Sequence, residues 1–335
     1  MTELLQKLCL IDGTSGDEGA VRDFVISQIK DCCEYSVDNL GNIIAFKKGK
    51  NRPTKKVLID AHLDEVGLII TSIEQNGFLR FKAVGGIDTA ALLLRRVLIG
   101  GKIFGVIGSK AVHLCGSDER KKLPSADSLY IDIGAKSEDE AREFVAEGDR
   151  AVMCSDFTVS GDKILTKALD DRVGCAIIIE LLKGTPEYDF YATFSVQEEV
   201  GLRGARVAAY SVNPDAAVVI DGTTAADIAD VPNSKQVCRL GSGAVVSFMD
   251  GATSYDRDYY KAALNSPAST QSKCAVAGGN NAGAIHLNRD GVRTVALSVP
   301  CRYIHTSGSV ADIKDIIATL DAAKYMIENI AGGKI

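Results

Sequence analysis

Five short apolar runs end in residues able to ligate a cation: VLIDAH at His62, KALDD at Asp170, FSVQEE at Glu199, AVVID at Asp221 and CRYIH at His305. Each stands where a strand-like run gives way to a loop. Two imidazoles and three carboxylates suffice for two divalent cations that share one carboxylate, with Glu198 left over as a base. Such a set suits hydrolysis, because paired metals can clamp the attacking and leaving oxygens of one displacement.

Local spacing refines these assignments. In AHLDE, His62 and Asp64 stand two residues apart and so share a face of an extended strand. Asp64 is therefore placed to hold the outer nitrogen of His62, as partners of metal-bound histidines usually do. In ALDDR, Asp170 is the acid that points inward and bridges, while Asp171 caps the following helix or pairs with Arg172. Adjacent side chains at a strand end project differently, so Glu198 and Glu199 in QEEVG take different jobs. Glu199 reads as a ligand. Glu198 reads as the general base that takes a proton from water and passes it to a leaving amine. Taken singly, each motif has a bland structural reading: an exposed polar triplet, a helix cap, a solvated acid pair, a satisfied core histidine. Their shared grammar is what argues for a site. His113, in a glycine-rich stretch, reads as structural or interfacial, and His286, in NAGAIH, as a helical residue beside the ligands.

The elements that must position these groups can be read from periodicity. Leu4, Leu5, Leu8 and Cys9, then Val21, Phe24, Val25 and Ile29, recur at helical spacing around the turn GTSGD. YSVDN and NIIAF form a hairpin, and VLIDA is a strand covered on both faces. From about residue 70 to 162 helical periodicity fades and short runs such as FLRFKAV and VLIGGKIFGVIG are broken by glycines. SEDEAREFVAEG is the one helix expected there. From Leu165 onward helices and strands alternate down to a long closing helix. The class expected is α/β: a mixed central sheet with helices on both faces, formed by residues 1–69 and 163–335, with a small β-rich domain, residues 70–162, inserted. Sites in such sheets lie outside the carboxyl ends of the strands, where all five ligands fall.

The 335-residue length allows a large core, and 46% hydrophobic and 24% charged residues describe an ordinary globular protein. With 38 basic and 44 acidic residues the net charge is −6, which favours neither a nucleic-acid nor a membrane-surface partner. Nine scattered cysteines without CxxC spacing indicate reduced thiols, and the start MTELLQKLCLIDG lacks the features of a signal peptide. A cytoplasmic protein is expected.

The motifs SGDEGAVRDFV, NLGNIIAFKKG, AHLDEVGLI, KALDDRVGCA, SVQEEVGLRGA, GGNNAGAIHL and PCRYIH, in this order, resemble the tetrahedral aminopeptidase family, which includes glutamyl and deblocking aminopeptidases and proteins labelled cellulase M. The resemblance runs nearly end to end. It implies a zinc-exopeptidase-like fold and a dinuclear zinc or cobalt exopeptidase that removes N-terminal residues from peptides. His62, Asp170, Glu199, Asp221 and His305 would be the ligands, Asp170 the bridge, Glu198 the base and Asp64 the group that orients His62. It further implies that the inserted domain builds dimers and that six dimers form a hollow dodecamer. A mixed imidazole and carboxylate site also admits manganese. The chain departs from the family at Asn280-Asn281, where an acid is common at the second position, at Thr306-Ser307 and in GTTAADIADVPN. None of these removes a ligand. The loss of an acid at Asn281 is expected to alter the substrate pocket, and Arg203, Arg289 or Arg302 could supply it with a cation.

Two other functions compete. Polysaccharide hydrolysis needs two free carboxyls roughly 5–10 Å apart, whereas these carboxylates are committed as ligands. With no Trp and 6% aromatics, the chain also has few platforms for sugar rings. A non-catalytic assembly protein would have no need of an intact ligand set and Glu198.

Overall fold

A computed structural model describes all 335 residues. Its centre is an eleven-stranded mixed sheet. Four parallel strands form the middle, in the order Phe190–Ser195, Val57–His62, Ala216–Thr224 and Arg293–Arg302. Antiparallel neighbours extend it: Ile43–Lys47 on one side, and Ser309–Asp312 followed by Lys163–Thr166 on the other. The expected hairpin is present, with Glu34–Val37 paired to Ile43–Lys47.

Strand periodicity divides the core in two. Val57, Ile59 and Ala61 face the helices Leu169–Lys183 and Ile313–Ala331, while Leu58, Ala217 and Val219 face the helix Arg203–Val212 and the short turn Ala282–Ile285. Successive side chains leave a strand on opposite sides, so a strand sandwiched between helices is buried on both faces, and a polar residue such as Asp60 is there only because Thr193, Ser195 and Asn281 donate to it. Accordingly every residue of Val57–His62 is buried. The helix Leu169–Lys183 is apolar on nearly all sides, which suits its central position between sheet and outer helices. Gly174 lies in its first turn because a Cβ there would stand 2.5 Å from the Asp171 carboxylate, which accepts the Gly174 N–H.

The second unit is a closed six-stranded barrel with its own core, including Leu68, Ile70, Phe81, Val97, Ile107 and Ile131. Its strands run from Gly67–Ile73 to Arg150–Met153. Thr158–Ser160, inside the span 70–162 read as inserted, instead pairs with Lys163–Thr166 in the large sheet. Composition marks where texture changes, but strand partners mark where a sheet begins. The helix expected in SEDEAREFVAEG shrinks to Glu138–Arg142. Ser137 caps its start; Ala141 and, just past its end, Val145 are buried in the barrel core, while Phe144 between them is exposed. No helix is long and apolar enough to cross a membrane.

Arg172 ties the N-terminal segment to the centre. Fully buried, it donates to the main-chain carbonyls of Leu8, Ile11 and Leu63 and lies 3.5 Å from Glu65. Removing it leaves buried carbonyls without donors and weakens the pairing of a buried acid. Arg172→Ala is expected to cost about 3 kcal/mol or more, seen as a lower denaturant midpoint with early loss of order in Thr2–Leu10 by hydrogen exchange.

Candidate metal centre

The site lies where two of the parallel strands end, at His62 and Ser195, while Ala216–Thr224 and Arg293–Arg302 run past it. His62 is the last residue of its strand, and Glu198 and Glu199 follow the strand that ends at Ser195. Asp221 does not close its strand as the run AVVID suggests: pairing continues through Thr224. Asp170 opens the helix Leu169–Lys183, and His305 lies three residues past Arg302. Three non-glycine residues with left-handed backbone, Ala168, Gln197 and His305 (φ 54°, 57° and 59°), turn the chain at these positions. Such conformations cost about 1–3 kcal/mol each and persist where the surroundings demand them. Gly222 gives Asp170 room, since a Cβ there would meet the Asp170 side chain at 3.0 Å.

Asp170 stands between the two imidazoles. Its Oδ1 is 3.2 Å from Nε2 of His62 and its Oδ2 is 3.5 Å from Nε2 of His305. On the His62 side lie Asp221 at 3.7 Å and Glu198 at 3.9 Å; on the His305 side lies Glu199 at 3.1 Å. The structure thus brings together all six groups named from the sequence. Asp171 is also close, and its oxygen, one from Asp221 and a His62 nitrogen lie within 4.8 Å of one another. Both Asp171 oxygens, however, already accept main-chain N–H groups, of His62 at 3.2 Å and Gly174 at 3.0 Å. That engagement makes Asp171 a support for the His62 backbone and not a free ligand.

Asp64 behaves differently from expectation. The Nδ1 of His62 meets the main-chain carbonyl of Asp64 at 3.0 Å, and the carboxylate is farther, at 3.4 Å. The carboxylate instead accepts the N–H groups of Glu198 (3.0 Å) and Glu199 (3.1 Å) and the Ser15 hydroxyl (2.6 Å). It therefore fixes the turn bearing both glutamates as well as the imidazole. Sequence reasoning missed Ser15, and missed Gly86, whose carbonyl in the barrel lies 2.7 Å from Nδ1 of His305. The Gly85-Gly86 pair was the available signal.

Asn281 corrects another expectation. It is buried away from the substrate side, its amide donating to Asp60 and Ser195 at 2.7 Å each. Asn280 lines the open cleft instead. His113 is exposed on the barrel, and the Nδ1 of His286 lies 2.7 Å from the carbonyl of Ala282 in its own turn. The three arginines are engaged elsewhere: Arg203 with Gln197, Arg289 over the Tyr210 ring and Arg302 with Asp227. The cleft, of about 460 Å³, is lined by Asp170, Glu198, Glu199, Asp221 and His305 and carries a single cationic residue of another kind, Lys273.

The electrostatics reveal an excess of buried negative charge. Burial pushes Glu198 and Glu199 up from the usual carboxylate range and carries Asp221 to about 8, with the Asp170 charge adding to it. Burial opposes a charge on His305, yet hydrogen bonds to Asp170 and Glu199 outweigh it and hold the imidazole at about 11. The Oδ1 of Asp221 is buried with no hydrogen-bond partner. An orphaned buried carboxylate oxygen is costly unless something positive meets it. Imidazole nitrogens and carboxylate oxygens are the donors that first-row divalent cations accept, so the residues present fit such ions.

The M42 glutamyl aminopeptidase family matches residues 41–321 of this chain. The lysyl aminopeptidase of Pyrococcus furiosus is 33% identical over 98% of this chain and 97% of its own. Among solved structures, the TET1 peptidase of Pyrococcus horikoshii, described as assembling into a tetrahedron or a large octahedral shell, superposes with a TM-score of 0.84 at 35% identity, covering 98% of both chains. A Thermotoga maritima structure described as an endoglucanase gives a TM-score of 0.80 at 31% identity, covering 98% of this chain and 97% of that one. The chain belongs to the M42 aminopeptidase family. It is a peptidase, a metal-dependent hydrolase that acts at the amino end of peptides.

One consequence concerns stability. Asp221 and His305 both have folded pKa values raised above their unfolded ones, so each contributes most below its unfolded pKa and loses that contribution as pH rises, toward about 8 and about 11 respectively. Asp170, held low by both histidines against burial, works in the opposite sense only below the usual carboxylate range. Stripped of metal, the protein should lose thermal midpoint steadily between about pH 5 and pH 8. Excess zinc or cobalt should restore more at the upper end, by differential scanning fluorimetry.

Proposed function

We propose that His62, Asp170 and Asp221 hold one divalent cation and that His305, Asp170 and Glu199 hold a second. The observation that carries this reading is that the two oxygens of Asp170 face different imidazoles. Zinc and cobalt are the proposed ions, with manganese also suited to this donor set. Cations bound there supply positive charge for a peptide's terminal amine and scissile carbonyl and make nearby water more acidic.

The chain's own residues do the rest. Glu198, raised by burial and by the neighbouring acids, accepts a proton from water and returns it to the leaving amine. Asp64 keeps Glu198 aimed by holding its N–H, and Gly86 keeps His305 turned inward. The closed barrel, with Phe104, Val112 and Leu114 exposed, is the proposed dimerisation domain. Dimers would assemble into a tetrahedral dodecamer, as the Pyrococcus relative's tetrahedron suggests. Nine free cysteines suit the reducing cytoplasm, the proposed location.

Glycoside hydrolysis is not favoured, in spite of the Thermotoga neighbour's description. Every carboxylate in this cleft packs against an imidazole or another acid, and none is isolated as a proton donor.

Two variants separate binding from chemistry. Glu198→Gln should keep its metal by elemental analysis while kcat falls about 10²–10⁴-fold. Asp170→Asn should lose most bound metal and activity together. Native mass measurement should find twelve times the 35.6 kDa chain; an isolated monomer at working concentration would contradict the assembly.

A further inference from the structure

Beneath the metal centre lies a buried polar cluster that contributes no ligand. Asp60 stands two residues before His62 on the same strand, so the two side chains share a face. It is fully buried, and its partners are neutral. They are the Thr193 hydroxyl at 2.6 Å, the Ser195 hydroxyl at 3.3 Å and the Asn281 amide at 2.7 Å. The same amide also donates to Ser195 at 2.7 Å, while the Oδ1 of Asn281 has no partner in the protein. Buried acids are ordinarily paired with a charge. Here three neutral donors converge on one carboxylate, on a face otherwise lined by Leu58, Ala217 and Val219.

The chain segments that meet there explain the cluster. Asp60 lies on the strand that ends at His62, and Thr193 and Ser195 lie on the strand that leads to Glu198 and Glu199. Asn281 closes the irregular segment 273–280, whose Gly278, Gly279 and Asn280 line the cleft. Other ties of this segment run elsewhere: the Gly278 carbonyl accepts from Gly251 at 2.8 Å, and the Asn280 amide donates to the Tyr255 hydroxyl at 3.0 Å. It is Asn281 that bonds to the two strands carrying His62 and the glutamates. A carboxylate at this position would face that of Asp60, so the contact needs an amide.

We infer that Asp60 and Asn281 are positioning residues for the reaction, an acid–amide clasp that sets the cleft wall Gly278–Asn280 against the strands bearing His62 and Glu198. This rests on the aminopeptidase reading of the site. Neither side chain reaches the metal ligands or lines the cleft. The clasp acts by fixing the width of the cleft, on which the contacts of a bound peptide depend. The competing role is stability of the packed face alone. That role would lower the unfolding midpoint and leave substrate binding by the folded protein unchanged.

The test uses the metal-loaded full-length protein, Asn281→Asp, Asp60→Asn and the double variant with both changes. Asn281→Asp keeps the shape but sets two carboxylates together, and the double variant restores one acid and one amide with the donation reversed. On the best wild-type substrate among fluorogenic amino-acid amides, Asn281→Asp should raise KM about tenfold, the order expected for loss of a hydrogen bond to a charged group. Its kcat should stay within about threefold and its metal content should be unchanged by elemental analysis. Hydrogen exchange should quicken selectively across residues 276–281. The double variant should bring KM and exchange back most of the way. Unchanged KM and exchange in Asn281→Asp, or no recovery in the double variant, would overturn the clasp and leave the aminopeptidase reading standing. Should Asn281→Asp not fold, Asp60→Asn, which removes the charge at constant shape, is read in the same way. A wild type that cleaves none of the amides would sink the aminopeptidase reading, and the exchange pattern would still decide whether the clasp holds the cleft wall.

Discussion

Too many negative charges meet in one dry place. Asp170, Glu198, Glu199 and Asp221 converge on two imidazoles at the ends of parallel strands, with Asp171 directly behind. In a protein interior such a cluster is tolerable only if protonated or if cations sit among the oxygens. The raised acids and the raised histidines are the protein's own partial answer. The orphaned Oδ1 of Asp221 shows that answer to be incomplete. Much of the surrounding architecture serves to keep these groups from relaxing apart.

That restraint comes from backbone as much as from side chains. Asp64 holds the two glutamates through their N–H groups, and Asp171 holds His62 through its own. Gly86 reaches from the barrel to His305. Such bonds fix the backbone from which each of these side chains projects, which is what a site sensitive to small displacements requires. The barrel is consequently more than an appendage. Its Gly86 carbonyl meets Nδ1 of His305 and so helps to position that imidazole.

Much of the site was legible without coordinates, because metal-binding chemistry limits residue types and because the ends of apolar runs are where strands stop. His62, Glu199 and His305 could be picked on those grounds. The role of Asp64 was legible only in part: period-two spacing placed it near His62 but could not show the Glu198 and Glu199 amides arriving from a different strand. Asn281 was misplaced because sequence order puts it beside Asn280; both are buried, but only Asn280 lines the cleft, while the Asn281 amide turns to Asp60 and Ser195. The edge of the barrel was displaced for a similar reason, since pairing and not composition decides which sheet Thr158–Ser160 joins.

What the chain's own order of residues determined is local: alternating apolar runs, the helices between them, and the imidazoles and carboxylates at or near the ends of those runs. These follow from side-chain chemistry and from periods of two and 3.6 residues. The tertiary structure alone decided which oxygen of Asp170 faces which imidazole, that Gly86 supports His305, and that Lys273, not an arginine, faces the cleft. Those contacts join residues as far apart as 108 positions for His62 and Asp170, and 219 for Gly86 and His305. No local period reaches so far; only strand order and packing bring such groups to one point.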